Sequence, residues 1–477
     1  MKPLTVPRSR IALVALMSST AWLAGCASFE LEPSIARSNQ ALAAFTQGEL
    51  ALARTEAQQA QRAQAAARLL GQPLSQDAAV RLALLESPAL QALLARHGAE
   101  GSATAQAGRI SNPVLSLERL RTGQELEIGR SLSFGLLDLL TLPARQRVAE
   151  QKLAQQQLKL SAEVLEQVTQ IRQAWVRAVA ARQLSLYADQ VLDSAEVSAE
   201  LARRMQQVGN FNRLTRARQQ AFYADTSTQA ASARHQALAA REALTRLLGL
   251  NDVQALAMTL PERLPDLPAQ AQNPEAVARQ ASGQRLDVQL ARAQFNAAAQ
   301  AQGLTGITSL IDIELGLIRN TTFDADHRAT SRGTELSLRL PLFDSGSLQR
   351  QGMSDSTLAA ARQLEAISRA AGSHLRESYS AYRTAHDIAR HYREEVIPLR
   401  KTMADENLLR YNAMLIGVFE LLADARDQVG TVMSALQAEQ QFWLADAALQ
   451  ASLMGQPVGM ALAGPAASST APSPAGH

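Results

Sequence analysis

The stretch Glu335-Leu336-Ser337-Leu338-Arg339-Leu340-Pro341-Leu342 puts a leucine at every second position, with Glu, Ser, Arg and Pro between them. Upstream, Ile311, Ile313, Leu315 and Leu317 alternate with Asp312, Glu314 and Gly316. Much earlier, Leu126, Ile128, Leu132 and Phe134 alternate with Glu127, Gly129, Ser131 and Ser133, and Arg130 interrupts the apolar series. Residues 114–120 form a less regular partner. A period of two is the signature of a strand with unlike faces. Each run is about ten residues, the length a tilted strand needs to cross a bilayer. An apolar outside and a polar inside define a barrel with a wet interior. A water-soluble sheet with one buried face produces the same alternation. Four strands do not close a barrel, because small barrels need about eight. The barrel reading therefore requires several chains: two reach the minimum and three give a wider lumen.

Working outward, each pair of strand-like runs leads into a very long helical region. Nothing breaks a helix over residues 144–208. Such a run would reach on the order of 100 Å and predicts coiled coil. Val164, Val168, Ile171, Trp175 and Ala178 step by four and three, as do Leu422, Ala425, Val429, Val432 and Leu436. These are seams at the period of supercoiled helices. Pro398 lies in the second long region, where it should kink or break the helix. The whole layout occurs twice, offset by roughly 200 residues, as an internal duplication would leave it. Asp77-Ala78-Ala79-Val80 opens one half and Pro274-Glu275-Ala276-Val277 the other. Gly209 and Gly417 interrupt the long regions, and Gly249 and Gly455 end the halves. Gly209 and Gly417 are expected to reverse the chain, since glycine tolerates the positive φ of a tight turn.

Forty-seven basic and 44 acidic residues among 477 leave a net charge of +3, too even for a nucleic-acid surface. Aromatics are only 4%, which favours helix packing through small residues over an aromatic-filled core. The one cysteine excludes an internal disulfide framework and a Cys-based zinc cluster. Lys2, Arg8 and Arg10 precede an apolar stretch too short to span a bilayer, the layout of a secretory signal. It ends in Leu23-Ala24-Gly25-Cys26, which resembles the bacterial lipoprotein cleavage box. That resemblance implies cutting before Cys26, acylation of Cys26 (palmitate included) and, with Ala27 following, an outer-membrane destination. No later stretch is long and apolar enough for a transmembrane helix.

From about Leu74 to Gly455 the chain resembles the TolC-type outer-membrane efflux proteins, and the cleavage box places it in their lipoprotein branch. The pieces are Pro73-Leu74 to Pro88-Ala89-Leu90, Asn112-Pro113-Val114-Leu115-Ser116-Leu117, and Leu340-Pro341-Leu342-Phe343-Asp344-Ser345-Gly346. Gly209-Asn210-Phe211 and Tyr411-Asn412 to Leu421-Leu422-Ala423 resemble the family's two hairpin tips. The resemblance implies a mainly α fold with a small β part. Long antiparallel coiled-coil helices would form a periplasmic tunnel. Four strands per chain would enter a trimeric, twelve-stranded outer-membrane barrel. It further implies a homotrimer working with a periplasmic adaptor protein and an inner-membrane pump, lipid-anchored in the bacterial outer membrane. No cofactor, no nucleic acid and no catalysis are implied. The resemblance places a gate near the second tip, with Asp424, Asp427 and Tyr411 as its candidates. It also assigns Gly209, Asn210 and Phe211, with Gly417, Val418 and Phe419, to adaptor docking. Solvated helix faces and core packing are the plainer roles for these same residues. Met414 departs from the pattern, standing where many members have a glycine.

The expected layout is a signal peptide over 1–25 and a lipidated segment over 26–72. A first repeat follows over 73–250, a linker over 251–273, a second repeat over 274–455, and a disordered tail over 456–477. Residues 320–332 are expected to form an outward loop. His374, His386 and His391 are separated by 12 and 5 positions, not the 3 or 4 of a helical metal site, and read as surface residues. No phosphate loop, nucleophile elbow or HExxH motif occurs. The competing reading is a periplasmic coiled-coil structural lipoprotein without a pore.

Overall fold

The computed structural model describes residues 29–123, 125–281, 285–309, 312–324 and 327–457. Cys26 with its signal segment and residues 458–477 of the tail lie outside the described residues. Helices α1 (Leu31–Thr46), α2 (Glu56–Leu70), α3 (Gln76–Glu86) and α4 (Pro88–Ala107) come first. Strands β1 (Val114–Thr122) and β2 (Glu125–Gly135) follow, then helices α5 (Leu136–Gln207) and α6 (Arg213–Leu248). A short α7 (Asp252–Ala257) leads to the second half: α8 (Pro274–Ala281), α9 (Leu286–Thr308), β3 (Asp312–Phe323) and β4 (Arg328–Arg339). Helix α10 (Ser347–His391), a π turn (Tyr392–Val396), α11 (Ile397–Asn412) and α12 (Val418–Leu453) complete it. The duplication expected from the sequence is therefore a duplication of helix, hairpin and long helical arm.

Two compact units divide the chain. The first takes residues through Ser34, Ala95–Leu160 and Val288–Ser368. It holds one antiparallel sheet in the order β1-β2-β3-β4. The expected loop over 320–332 is mostly strand, because β3 runs to Phe323 and β4 starts at Arg328. Thr321 and Thr322 are β-branched, and Thr321 pairs directly with Thr330, so polarity did not signal a loop there. At the other end, β4 stops at Arg339, and Leu340-Pro341-Leu342 lies beyond it. Pro341 has no N–H for a ladder.

The second unit takes Ile35–Leu94, Ser161–Asp287 and residues from Arg369 on. Its first seam is as expected: Val164, Val168, Ile171, Trp175 and Ala178 of α5 are all buried. Trp175 Nε1 donates to the Leu74 carbonyl at 2.7 Å. The second seam is different. Leu422, Val429, Val432 and Leu436 are only half-buried, and Ala425 is exposed. Aromatics are few but concentrated: Phe442 lies 5.5 Å from Tyr382, 5.6 Å from His386 and 5.1 Å from Trp443, ring to ring. His386 is thus buried, against the surface expectation, and its Nε2 is bonded to the Pro268 carbonyl at 3.0 Å.

The segment expected as a linker is a strap held through its carbonyls. Arg241 donates to Ala255 and Met258, Arg182 to Leu260, Trp443 to Pro265 and Tyr379 to Gln272. Side-chain donors on the helices satisfy backbone acceptors that no ladder would otherwise reach. The described part of the 26–72 segment supplies α1 and α2, and Arg172 of α5 stacks over Phe45 while donating to its carbonyl. Pro398 produces the expected disturbance as a π turn: Ile397 N–H reaches the Tyr392 carbonyl, and helix resumes with proline in its first turn.

Candidate conduit wall and hairpin tips

Strand register assigns every sheet residue to a face, because directly paired residues share one. One face carries Leu115, Leu117, Leu132, Phe134, Ile313, Leu315, Leu317, Leu336 and Leu338 towards the helix-connected end. The other carries Glu118, Glu125, Glu127, Glu314, Glu335 and Asp312 among Gly, Ser, Thr and Asn, with Val114, Leu120, Ile318 and Ala329 as its apolar members. Arg339 lies on this acidic face and pairs with Asp312 at 3.4 Å. Asn320 donates to Glu127 at 3.0 Å on the same side. Among the described residues nothing covers the apolar face over its exposed leucines: Leu117 is 71% exposed and Leu336 66%. Strands β1 and β4 are exposed along their whole length, and among the described residues each leaves a backbone edge unpaired. Such edges invite another strand unless something blocks them.

The two tips are built differently. At the first, Gly209 has φ +83, the positive value expected of it. Asn212 then caps α6, its side chain accepting from Thr215 N–H at 2.8 Å. Asn210 is exposed and Phe211 half-buried. At the second, Gly417 has φ −83 and ψ 160, so it is extended and does not make the reversal. The positive φ falls on Met414, at +59. The Leu415 N–H bonds back to the Arg410 carbonyl at 2.8 Å and closes the turn. Only the departure of Met414 from the family pattern hinted at this. Val418 is half-buried; the Phe419 side chain lies outside the described residues.

Asp424 lines a cleft of about 500 Å³ between α11 and α12, together with Arg400, Lys401 and Asp405. Asp427 is exposed and pairs with Arg400 at 3.7 Å. The cations of α11 facing these acids were not apparent from the sequence, where they lie more than twenty positions upstream. An exposed pair of this kind contributes little to stability, about 0–1 kcal/mol. Tyr411 is exposed at the end of α11. Across the hairpins, Arg426 sits 4.2 Å over the Phe222 ring and donates to Gln219 at 3.1 Å, tying α12 to α6. Among the described residues, no group of three His, Cys, Asp or Glu side chains could hold a metal ion.

The chain is similar to the outer membrane protein VceC of Vibrio cholerae, at 16% identity and TM-score 0.65, covering 82% of this chain and 96% of that one. It is similar to the CmeC outer membrane channel of Campylobacter jejuni, at 13% identity and TM-score 0.67, over 82% and 85% of the two chains. The MtrE outer membrane channel of Neisseria gonorrhoeae matches at 17% identity and TM-score 0.61, over 82% and 89%. No protein-family model and no curated protein sequence matches the chain. At these identities the likeness defines the fold: long helical arms with a four-stranded sheet, shared with outer-membrane channels.

Proposed function

We propose that this chain is the outer-membrane channel of a tripartite efflux or secretion system, a passive exit duct energised by an inner-membrane pump. The observation that supports it most is the sheet: one apolar face left uncovered, one acidic face, and two open edges. Identical subunits joining β4 to β1 would satisfy the edges, put the leucines against lipid and the acids around water. Three chains of four strands would give a twelve-stranded wall. The helical arms would extend into the periplasm, with the tips at Gly209 to Phe211 and Gly417 to Phe419 meeting an adaptor. Cys26 would carry the lipid anchor. The duct performs no catalysis and takes no cofactor.

The test is direct. Membrane fractions should yield a heat-modifiable trimer that conducts ions in planar bilayers. A monomer released by removing the lipid alone would overturn the duct in favour of a periplasmic structural lipoprotein. The gate assignment is separable: Asp424→Ala with Asp427→Ala should lower cation selectivity, as an acidic ring selects cations. Unchanged selectivity would remove these two residues from the gate.

A further inference from the structure

The face that bears the leucines changes character towards its hairpin turns. The register sets Arg130, Arg319 and Arg332 side by side on three adjacent strands, in the row that starts at Leu117. Arg119 stands in the next row and Arg121 and Arg328 in the one beyond, all on this same face. All six are exposed. The sheet's carboxylates lie on the opposite face, so none shares a face with these arginines among the described residues. Adjacent strands are about 4.8 Å apart, and like charges directly opposite each other repel. Arg130–Arg319 and Arg319–Arg332 are two such pairs in succession. An uninterrupted guanidinium row of this kind calls for an anion, and guanidinium geometry matches phosphate in particular. Below the row come Leu115, Leu132 and Leu317, then Phe134, Leu315 and Leu336, then Ile313 and Leu338. Phe323 pairs with Arg328 at the turn end, the guanidinium 5.3 Å from the ring centroid, a mixed apolar and cationic rim.

We infer that this arginine belt binds the phosphates of a multiply acylated, phosphorylated glycolipid of the outer leaflet, its acyl chains lying on the leucine rows beneath. The inference rests on the channel reading, which turns this face to lipid and the hairpin turns outward. Charge and apolarity on one face complement an amphiphile with an anionic head. A soluble anion would leave the leucine rows unused, and an acidic peptide would leave them uncovered.

The experiment uses the full-length protein purified in detergent, with lipid occupancy read by native mass spectrometry. Wild type should retain bis-phosphorylated lipid A and bind its fully dephosphorylated form at least about tenfold more weakly, as lost charge-assisted hydrogen bonds dictate. R130Q/R319Q/R332Q should lose the phosphorylated lipid to a similar degree, while R130K/R319K/R332K keeps part of it. Inorganic phosphate in excess should leave the lipid bound. Equal binding of the two lipids, full retention by the Gln variant, or displacement by inorganic phosphate would each overturn the proposal. Should the Gln variant not assemble, the two lipids on wild type decide alone. Conductance in phosphatidylcholine bilayers should be unchanged in the Gln variant. Wild type that does not conduct would instead remove the channel reading, and the two failures are thereby distinct.

Discussion

The two halves of the chain share one plan, yet they agree closely at their ends and diverge at their tips. Gly249 closes α6 with φ +73 and Gly455 follows α12 with φ +94. Each glycine is pressed against the start of its own half's second helix. A Cβ on Gly249 would overlap Pro88 Cδ and stand 2.9 Å from Ser87 Cα. A Cβ on Gly455 would stand 2.8 Å from Leu286 N, whose N–H also bonds the Met454 carbonyl at 2.9 Å. At the tips nothing presses: among the described residues, chain neighbours aside, no atom lies within 4 Å of a Cβ built on Gly209 or Gly417. The repeat is therefore retained where backbone meets backbone and released where the chain turns in solvent.

The largest effects should fall at the ends. Gly249→Ala and Gly455→Ala each combine a left-handed backbone with overpacking against backbone atoms. Together these cost roughly 3 kcal/mol at either site. Gly209→Ala carries only the conformational part, about 1 kcal/mol. Denaturant midpoints of the detergent-solubilised protein should rank the three in that way. A Gly209→Ala loss as large as that at Gly249 would break the contrast between ends and tips.

The helix closed by Gly455 carries a second measurable feature. Burial pushes the Asp446 carboxyl up to about 6, against the opposing pull of Arg172 and a hydrogen bond from Gln450. The folded chain then holds a proton that the unfolded chain has released over the window between about pH 4 and pH 6. Stability should fall as pH rises through that window. The penalty is absent below it and full above it. Asp446→Asn should flatten this slope and stabilise the protein at pH 7 by up to about 3 kcal/mol. A slope unchanged in Asp446→Asn would assign it to other carboxyls.

How much of this was legible beforehand follows from how local each cause is. The seam from Val164 to Ala178 and the strand alternation at Leu126 to Phe134 are periodic, and periodicity needs no partner to be read. The strand ends were misplaced because Asn320, Thr321 and Thr322 are polar, while pairing rather than polarity decides a strand. His386 reads as a surface residue in sequence because the Pro268 carbonyl that holds it is remote along the chain. The arginine belt was hidden for the same reason. Only Arg130 stood out as an interruption, and its neighbours Arg319 and Arg332 meet it through register alone.

The smallest effects test the tips. Met414 holds φ +59, a conformation that costs an L-residue about 1 kcal/mol and glycine almost nothing. Met414→Gly should therefore raise the unfolding free energy, read from the denaturant midpoint, by up to that amount, less the entropy that glycine loses. Gly417 was expected to make the reversal, yet its extended backbone suits any residue and its position is the N-cap of α12, with no side chain to accept a hydrogen bond. Gly417→Ser should supply that acceptor and stabilise by roughly 0.5 kcal/mol. Gly417→Ala should lie near zero, since a poorer N-cap offsets a stiffer unfolded chain. A loss of about 1 kcal/mol or more in Gly417→Ala would mean that this glycine does turn the chain, and that the two tips are alike after all.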